Sequence, residues 1–447
     1  MFFTSQSFRR ASVATIPVLA WLLVPMLSVE FAQAADDFEA PPILYSKSTP
    51  DNPISRLQRR LDSGQAALRF ENHFGYLRDV LKLLDVPTSS QTLVFSKTSL
   101  QRQRISPDAP RSLYFNDEVY IGMCQDGEVL EISAADPKLG TVFYTLEQFE
   151  SAQPKFVRQI DNCTICHASS ATRGVPGHTI RSVYVDAAGN PLFAEGSFRT
   201  DHTSPFKDRW GGWYVTGRHG TAAHMGNRTF KAHRIDEALE DPTGSNVVSL
   251  KDRFDTAGFL TPHSDLVALM ILEHQTEGHN RITAANFQTR QALHYENELN
   301  RELGEQATKR WDSTNSRIRG GCEPLVQYLL MCDEAPLESP IAGTSDFAAE
   351  FAVRGPRDSQ GRSLRDLDLN RRLFKYPLSY LIYSPSFDAL PREALDHVYR
   401  RLWEVVSGAE TDPEFAHLTP ADRRAIAEIV AATKSNVPGY WDAAAVK

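Results

Sequence analysis

The chain has 447 residues, of which 41% are hydrophobic and 23% are charged, and its formal net charge is -8. This is an ordinary globular composition, long enough for one large domain or for two to three smaller ones. The sequence contains no long run of basic residues, which argues against the lysine- and arginine-rich surface of a nucleic-acid-binding protein.

The first 34 residues predict an export signal. Arg9 and Arg10 precede an uncharged apolar stretch over residues 11–29, and A-Q-A at residues 32–34 offers small residues where a signal peptidase cuts. An uncleaved anchor helix is the alternative, because a stretch of this length could just span a bilayer. Two prolines within the stretch and the A-Q-A motif favour cleavage. We therefore expect a mature protein in the periplasm, or otherwise outside the cytoplasm, with no integral membrane span.

The next part of the chain predicts helices and then a sheet. Apolar residues at helical spacing over residues 54–85 predict helix, divided near Gly64. Short β-rich runs between turn residues predict a small sheet within residues 91–148. A further helix is predicted over residues 146–158.

The remaining elements are predicted from turn signals and apolar periodicity. A hairpin is expected around residues 188–191, and the pattern from residue 235 onward is helical. Proline near the start and glycine or a basic residue near the end mark several of these helices. The predicted helices cover residues 264–276, 280–303, 391–407 and 419–434.

Cys163-Thr164-Ile165-Cys166-His167 matches the C-x-x-C-H pattern of covalent haem attachment. In this pattern the two thiols bond the haem vinyl groups and the histidine becomes the proximal iron ligand. The composition of the chain predicts only about 0.002 chance matches. A zinc site would need a second cysteine or histidine pair at similar spacing, and a thioredoxin-like dithiol would need a strand-to-helix setting that the flanking residues do not suggest. The sequence therefore predicts one haem c, held by Cys163 and Cys166 and ligated by His167.

The order of these elements predicts an α+β fold that is helix-dominated, with a small N-terminal β-region and a c-type haem site in the middle of the chain. Four segments are expected. They are an export signal (residues 1–34), an N-terminal helical and β-rich region (35–150), a haem-binding core (151–233) and a mainly helical C-terminal region packed on that core (234–447).

Three cysteines lie outside the haem motif: Cys124, Cys322 and Cys332. The residues between Cys322 and Cys332 predict a helix with Pro324 in its first turn. Ten helical residues rise about 15 Å, whereas a disulfide needs Cα atoms within about 7 Å. We therefore expect no bridge between Cys322 and Cys332, and leave open a bridge from Cys124 to one of them.

Function depends on the group that faces the iron opposite His167. A methionine or a second histidine would fill that position, as in an electron carrier, whereas an open position would admit a small molecule. Met225, 58 residues after His167 in the run HMGN, is the first candidate for the distal ligand. Its alternative role is packing beside the haem. Three histidines are the other candidates for the distal ligand: His202, His219 and His224.

Residues 178–279 contain eight of the thirteen histidines. A satisfied structural histidine is the ordinary interpretation of each one. Together they indicate that some line the haem cavity or bind a second metal. His274 and His279, near the end of a predicted buried helix, are the candidates for that metal, with a solvated helix end as the alternative.

Trp210, Trp213 and Arg218 lie between the haem motif and Met225. The two indoles flank a pair of glycines and could pack on a porphyrin face. The guanidinium of Arg218 could pair with a haem propionate. Core packing for the indoles and solvent exposure for the arginine are the alternatives.

Several runs resemble a group of long, exported, single-haem c-type cytochrome-domain proteins of environmental bacteria. They are NCTICHASS, GVPGHTIRSVYVD, TDHTSPFKDRWGGWYVTGRHG, HMGN and LFKYPLSYLIYSPSFDALP. The resemblance covers most of the chain after the export signal and implies haem attachment at Cys163 and Cys166, ligation by His167 and electron transfer. It implies no particular reaction. The chain is far longer than a minimal cytochrome c domain, which has no N-terminal sheet.

Taken together, the sequence predicts a periplasmic single-haem cytochrome that exchanges electrons with a redox partner protein or a small-molecule donor or acceptor. The alternative is a haem oxidoreductase that acts on a small molecule at an open distal site lined by histidines. A haem-based sensor or a subunit of a respiratory complex is a third possibility.

Overall fold

A seven-stranded antiparallel sheet organises the first half of the protein. The computed structural model describes residues 37–446 except Glu240, and the described residues belong to one compact unit. The strands are β1 (Thr92–Val94), β2 (Arg111–Phe115), β3 (Val119–Met123), β4 (Val129–Asp136), β5 (Gly140–Glu147), β6 (Phe156–Gln159), β7 (Arg181–Val183), β8 (Ser197–Arg199), β9 (Trp213–Tyr214), β10 (Gly217–Arg218) and β11 (Ala342–Gly343).

The order across the main sheet is β6-β5-β4-β3-β2-β1-β9, and β7–β8 and β10–β11 form separate two-stranded pairs. Side chains alternate between the two faces of a strand. One face buries Ile132 of β4 against Tyr144 of β5 in a core shared with the N-terminal helices. The opposite face carries Glu131, Ser133 and Phe143, and this face supports the C-x-x-C-H motif through the contact of Phe143 with His167.

The helices of the second half pack around one long central helix, α5, whose N-terminus is capped by the Asp265 carboxylate. The close neighbours of α5 include α6, which also packs against α9. The helices are α1 (Pro53–Asp62), α2 (Leu77–Leu83), α3 (Asp161–His167), α4 (Ile235–Leu239), α5 (Leu266–Glu302), α6 (Asp312–Leu329), α7 (Phe347–Val353), α8 (Pro385–Asp388), α9 (Arg392–Val406) and α10 (Pro420–Thr433).

The prediction of a helix-dominated fold with a small N-terminal β-region is wrong. The segment predicted as a helix over residues 146–158 instead ends β5 and forms the edge strand β6, with Phe156 paired to Leu146. The opposite edge comes from Trp213–Tyr214, far along the chain. Pairing with a neighbouring strand overrides the local helical preference of such segments. The middle of the chain therefore contributes two strands, β6 and β9, to the edges of the main sheet.

Several local predictions are confirmed. The N-terminal helical region divides into α1 and α2, and Gly64 follows α1 with φ +72°. The short β-rich runs predicted within residues 91–148 include β2 to β5.

Two local predictions differ from the structure. The two helices predicted over residues 264–303 are one continuous helix, α5, and Pro324 lies inside α6 instead of in its first turn.

All five cysteines are free thiols, as expected for Cys322 and Cys332. Within residues 37–446, Glu240 aside, no helix has both the length and the apolar character needed to cross a bilayer. The predicted export signal lies outside the described residues.

Candidate functional site

The C-x-x-C-H motif forms α3, which follows edge strand β6 directly. This helix is described in full and contains no buried residue. Cys163 is half-buried, Cys166 is exposed and the side chain of Ile165, between them, is 77% exposed. The exposed free thiol of Cys166 is an unusual group on a protein surface. The helix therefore presents its reactive groups where a ligand can reach them.

The environment of the first thiol differs from that of a thiol–disulfide reagent. Burial raises the pKa of Cys163 to about 11, and the carboxylate of Glu131 and the thiol of Cys166 act in the same direction. Redox-active C-x-x-C motifs lower the pKa of their attacking thiol. The raised pKa argues against a thioredoxin-like role for this pair.

The imidazole of His167 is held in a defined orientation. Its Nδ1 atom lies 3.1 Å from the carbonyl oxygen of Gly177, which only an Nδ1–H can satisfy. The ring packs against Phe143 of β5, with centroids 5.1 Å apart. Desolvation by the protein packed around the ring lowers the pKa of His167, so the ring is neutral at pH 7. A neutral imidazole with its Nδ1 proton bound to a carbonyl has Nε2 available as a metal ligand.

An ion pair on the sheet lies beneath this helix. Arg111 and Glu131 approach to 2.7 Å, and both side chains are mostly buried. Their charges act on His167. Gly122, on the strand between them, is needed because a Cβ atom there would lie 2.2 Å from the Arg111 guanidinium. The sheet thus places one fixed ion pair beside the motif.

His178 packs behind the site and is fully engaged. Its Nε2 lies 2.8 Å from the Ser133 hydroxyl and its Nδ1 lies 3.3 Å from the Thr141 hydroxyl. Its ring lies 4.2 Å from that of Tyr120. Burial lowers its pKa well below the usual value. His178 is therefore a neutral structural histidine that ties the loop after α3 to the sheet.

Met225, the first candidate for the distal ligand, is fully buried. The Ser182 hydroxyl donates a hydrogen bond to its Sδ atom at 3.4 Å. Its Cε atom lies 2.7 Å from where a Cβ atom on Gly211 would stand. The side chain therefore fills space that the glycine leaves open, which supports a packing role.

His219 and His224 form a pair whose tautomers are determined by their partners. The Nδ1 of His219 lies 2.8 Å from the Ala222 carbonyl, and its Nε2 accepts from the Asn246 N–H at 2.9 Å. The Nδ1 of His224 accepts from the Gly226 N–H, which leaves its Nε2–H to donate to His219 at 3.2 Å. All four ring nitrogens are occupied, which is typical of structural histidines.

The remaining histidine candidates are His274 and His279 on α5, and His202, which contacts that helix from the turn after β8. The Nδ1 atoms of His202 and His274 are 2.8 Å apart, and the Nε2 of His274 lies 2.7 Å from the Ser379 hydroxyl. The ring of His202 lies against that of Tyr328, with centroids 4.2 Å apart and a tilt of 34° between the ring planes. His279 instead bonds the carbonyl of Asp117 at 2.9 Å. In the part of the chain that the structure describes, no three or more His, Cys, Asp or Glu residues are arranged to hold a metal ion. The structure lends no support to a second metal at His274 and His279.

The other predicted haem contacts have separate surroundings. Trp210 is fully buried, with its ring centroid 4.8 Å from that of Phe206. Trp213 donates from Nε1 to the Arg181 carbonyl at 2.9 Å. Arg218 is exposed on β10. Among the described residues, α3 has no hydrogen bond, ion pair or ring contact with these three residues, with Met225 or with the histidine candidates for the distal ligand: His202, His219 and His224.

The contribution of α5 to the site was not predicted from the sequence. The run from Glu273 to Asn280 is buried. Its polar composition, by contrast, is typical of a helix end exposed to solvent. Two of its residues, Glu277 and Asn280, bond the loop that follows α3. The signal was the run itself, because so many polar residues in a buried helix require partners nearby.

Comparisons with protein-family models, with curated proteins and with solved structures give no match for this chain.

Proposed function

We propose that this chain is a single-haem c-type cytochrome that takes part in electron transfer outside the cytoplasm. In this proposal Cys163 and Cys166 hold the haem and His167 is the proximal ligand. The observation that carries it is α3, on which a half-buried and an exposed free thiol precede a neutral imidazole anchored through Nδ1. The resemblance to exported cytochrome-domain proteins supports the same function.

The donor set fits haem c. Covalent attachment needs two thiols three positions apart, and iron ligation needs the Nε2 lone pair of the adjacent histidine. When bound, haem c supplies an iron that changes its oxidation state by one electron. The protein contributes the orientation of His167 through Gly177 and the apolar contact from Phe143.

The proposal is tested by producing the full chain in a bacterial host that carries out periplasmic haem attachment. The denatured protein should have the mass of its polypeptide plus one haem. Its absorption spectrum should change between the oxidised and reduced forms as a c-type haem requires. A purified, folded protein with the mass of the polypeptide alone would overturn the proposal.

A second candidate function is a haem oxidoreductase with an open distal position. The observation that favours it is that the Met225 sulfur is engaged by Ser182, while His219 and His224 bond each other. Carbon monoxide added to the reduced protein, and cyanide added to the oxidised protein, distinguish the two. Rapid binding of either would favour the oxidoreductase, whereas exclusion of both would favour a filled site and electron transfer.

Met225→Leu is expected to leave the haem spectrum unchanged, because the methionine fills space beneath Gly211. The exchange should lower the free energy of unfolding by less than about 1.5 kcal/mol, whereas Met225→Ala should lower it by about 2–5 kcal/mol. Chemical denaturation followed with visible spectroscopy measures both effects. A methionine–iron bond gives a weak absorption band near the red end of the spectrum. Loss of that band in Met225→Leu would instead identify Met225 as the distal ligand.

A further inference from the structure

We infer that Asn280 of α5 is a positioning residue for His167, acting through the peptide group between Gly177 and His178. The inference rests on the proposed function, in which His167 is an iron ligand. It adds a determinant of the reduction potential from a helix more than a hundred residues further along the chain.

The geometry links the three groups through one peptide plane. The carbonyl oxygen of Gly177 accepts from Nδ1–H of His167 at 3.1 Å. The N–H of the same peptide group, which belongs to His178, donates to Oδ1 of Asn280 at 2.9 Å. Because the peptide group is planar, fixing the direction of its N–H fixes the direction of its carbonyl. Asn280 therefore determines where the acceptor for His167 lies.

A second hydrogen bond makes this arrangement a clamp. The Nδ2 atom of Asn280 donates to the carbonyl of His178 at 2.7 Å. Asn280 is 1% exposed, so water cannot reach these groups and breaking either hydrogen bond leaves a buried polar group without a partner. Gly177 permits the close approach, since a Cβ atom there would lie 2.1 Å from Oδ1 of Asn280.

The clamp is itself anchored on α5. The carboxylate of Glu277 accepts from Nδ2 of Asn280 at 3.3 Å and from Arg281 at 2.9 Å. It also pairs with Arg173, in the loop after α3, at 2.5 Å. The loop between α3 and β7 is therefore held by α5 at Arg173 and again at His178.

The chemical consequence concerns the basicity of His167. A hydrogen bond from Nδ1–H to a carbonyl increases the donor strength of the imidazole. A second bond at the far end of the same peptide polarises that carbonyl further. A stronger donor stabilises ferric iron more than ferrous iron, so the intact clamp lowers the reduction potential.

Two independent substitutions disturb the clamp. Asn280→Ala removes both hydrogen bonds, and Gly177→Ala forces the same groups apart without changing Asn280. Asn286→Ala is the matched control for the first, because Asn286 is a buried asparagine on α5 whose amide bonds the carbonyls of Pro137 and Ala389. Gly320→Ala is the control for the second, because a Cβ atom there meets open space.

The experiment is a redox titration of the haem-loaded full chain in all five forms. Both clamp variants should shift the equilibrium toward ferrous iron by about tenfold, which is 59 mV upward for one electron, and both controls should match the wild type. A loss of stability alone would not move the potential. Wild-type potentials in Asn280→Ala and Gly177→Ala would overturn this inference while leaving the proposed function intact. A wild-type protein without covalent haem would overturn the proposed function instead. If Asn280→Ala does not fold, Gly177→Ala decides the outcome.

Discussion

Replacing Cys163 and Cys166 together with serine is expected to abolish covalent haem attachment completely. A serine hydroxyl cannot form the thioether bond that joins a cysteine to a haem vinyl group. The effect on folding should be small, because α3 has no buried residue and its two thiols contribute no disulfide. The measurement is the mass of the denatured protein together with its visible spectrum.

The matched control is a serine substitution at one of the other cysteines. Cys124, Cys322 and Cys332 are buried, and burial raises their pKa values to about 12, 11 and 12. None can reach a haem from the surface without unfolding around it. Cys332→Ser should therefore keep the haem mass and spectrum. Covalent haem in the double variant Cys163→Ser/Cys166→Ser would refute the assignment of the attachment site.

The sequence predicted the local chemistry of the site better than its surroundings. Cys163, Cys166 and His167 lie within one helical turn and a half, so their relative positions follow from spacing alone. The partner of His167 could not be predicted in this way. The contact with Gly177 depends on a loop, and the loop conformation depends on Asn280, which lies on another element.

Edge strands and buried polar clusters were the other features that could not be predicted from the sequence. Residues 156–159 form a strand because β5 offers a free edge, and nothing within those four residues signals this partner. The excess of histidines over residues 178–279 was visible, but its explanation required the fold. His219 bonds His224, His202 bonds His274, and His178 bonds the sheet. Each needs another chain segment or a turn to satisfy its ring nitrogens.

Because of these histidines, we expect the stability of the folded protein to be sensitive to low pH. Six of them are buried, and burial lowers the pKa of each, to about 3 for His202. Below pH 6.5 the unfolded chain binds protons at these rings and the folded protein does not, so stability falls as the pH falls. Each ring contributes up to about 1.4 kcal/mol per pH unit. The six are His178, His202, His219, His224, His274 and His279.

Two buried acids oppose this trend. Burial raises the pKa of Glu273 and of Glu334 to about 7. Between their unfolded value of 4.5 and pH 7 the folded protein binds the extra protons, so these two groups favour folding as the pH falls. Six histidines against two carboxyl groups leave a net loss of stability on acidification.

We therefore expect the free energy of unfolding, measured by urea denaturation, to decrease by several kcal/mol from pH 7 to pH 5. His279→Gln should make this decrease shallower, because a glutamine amide can donate to the Asp117 carbonyl without titrating. His73→Gln is the control, since the side chain of His73 is exposed and should leave the slope unchanged. Equal slopes in His279→Gln and the wild type would mean that His279 is protonated in the folded protein. That outcome would contradict the burial of the His279 ring. Among residues 37–446, Glu240 aside, no carboxylate lies within ion-pair distance of His279 to stabilise a charged imidazole there.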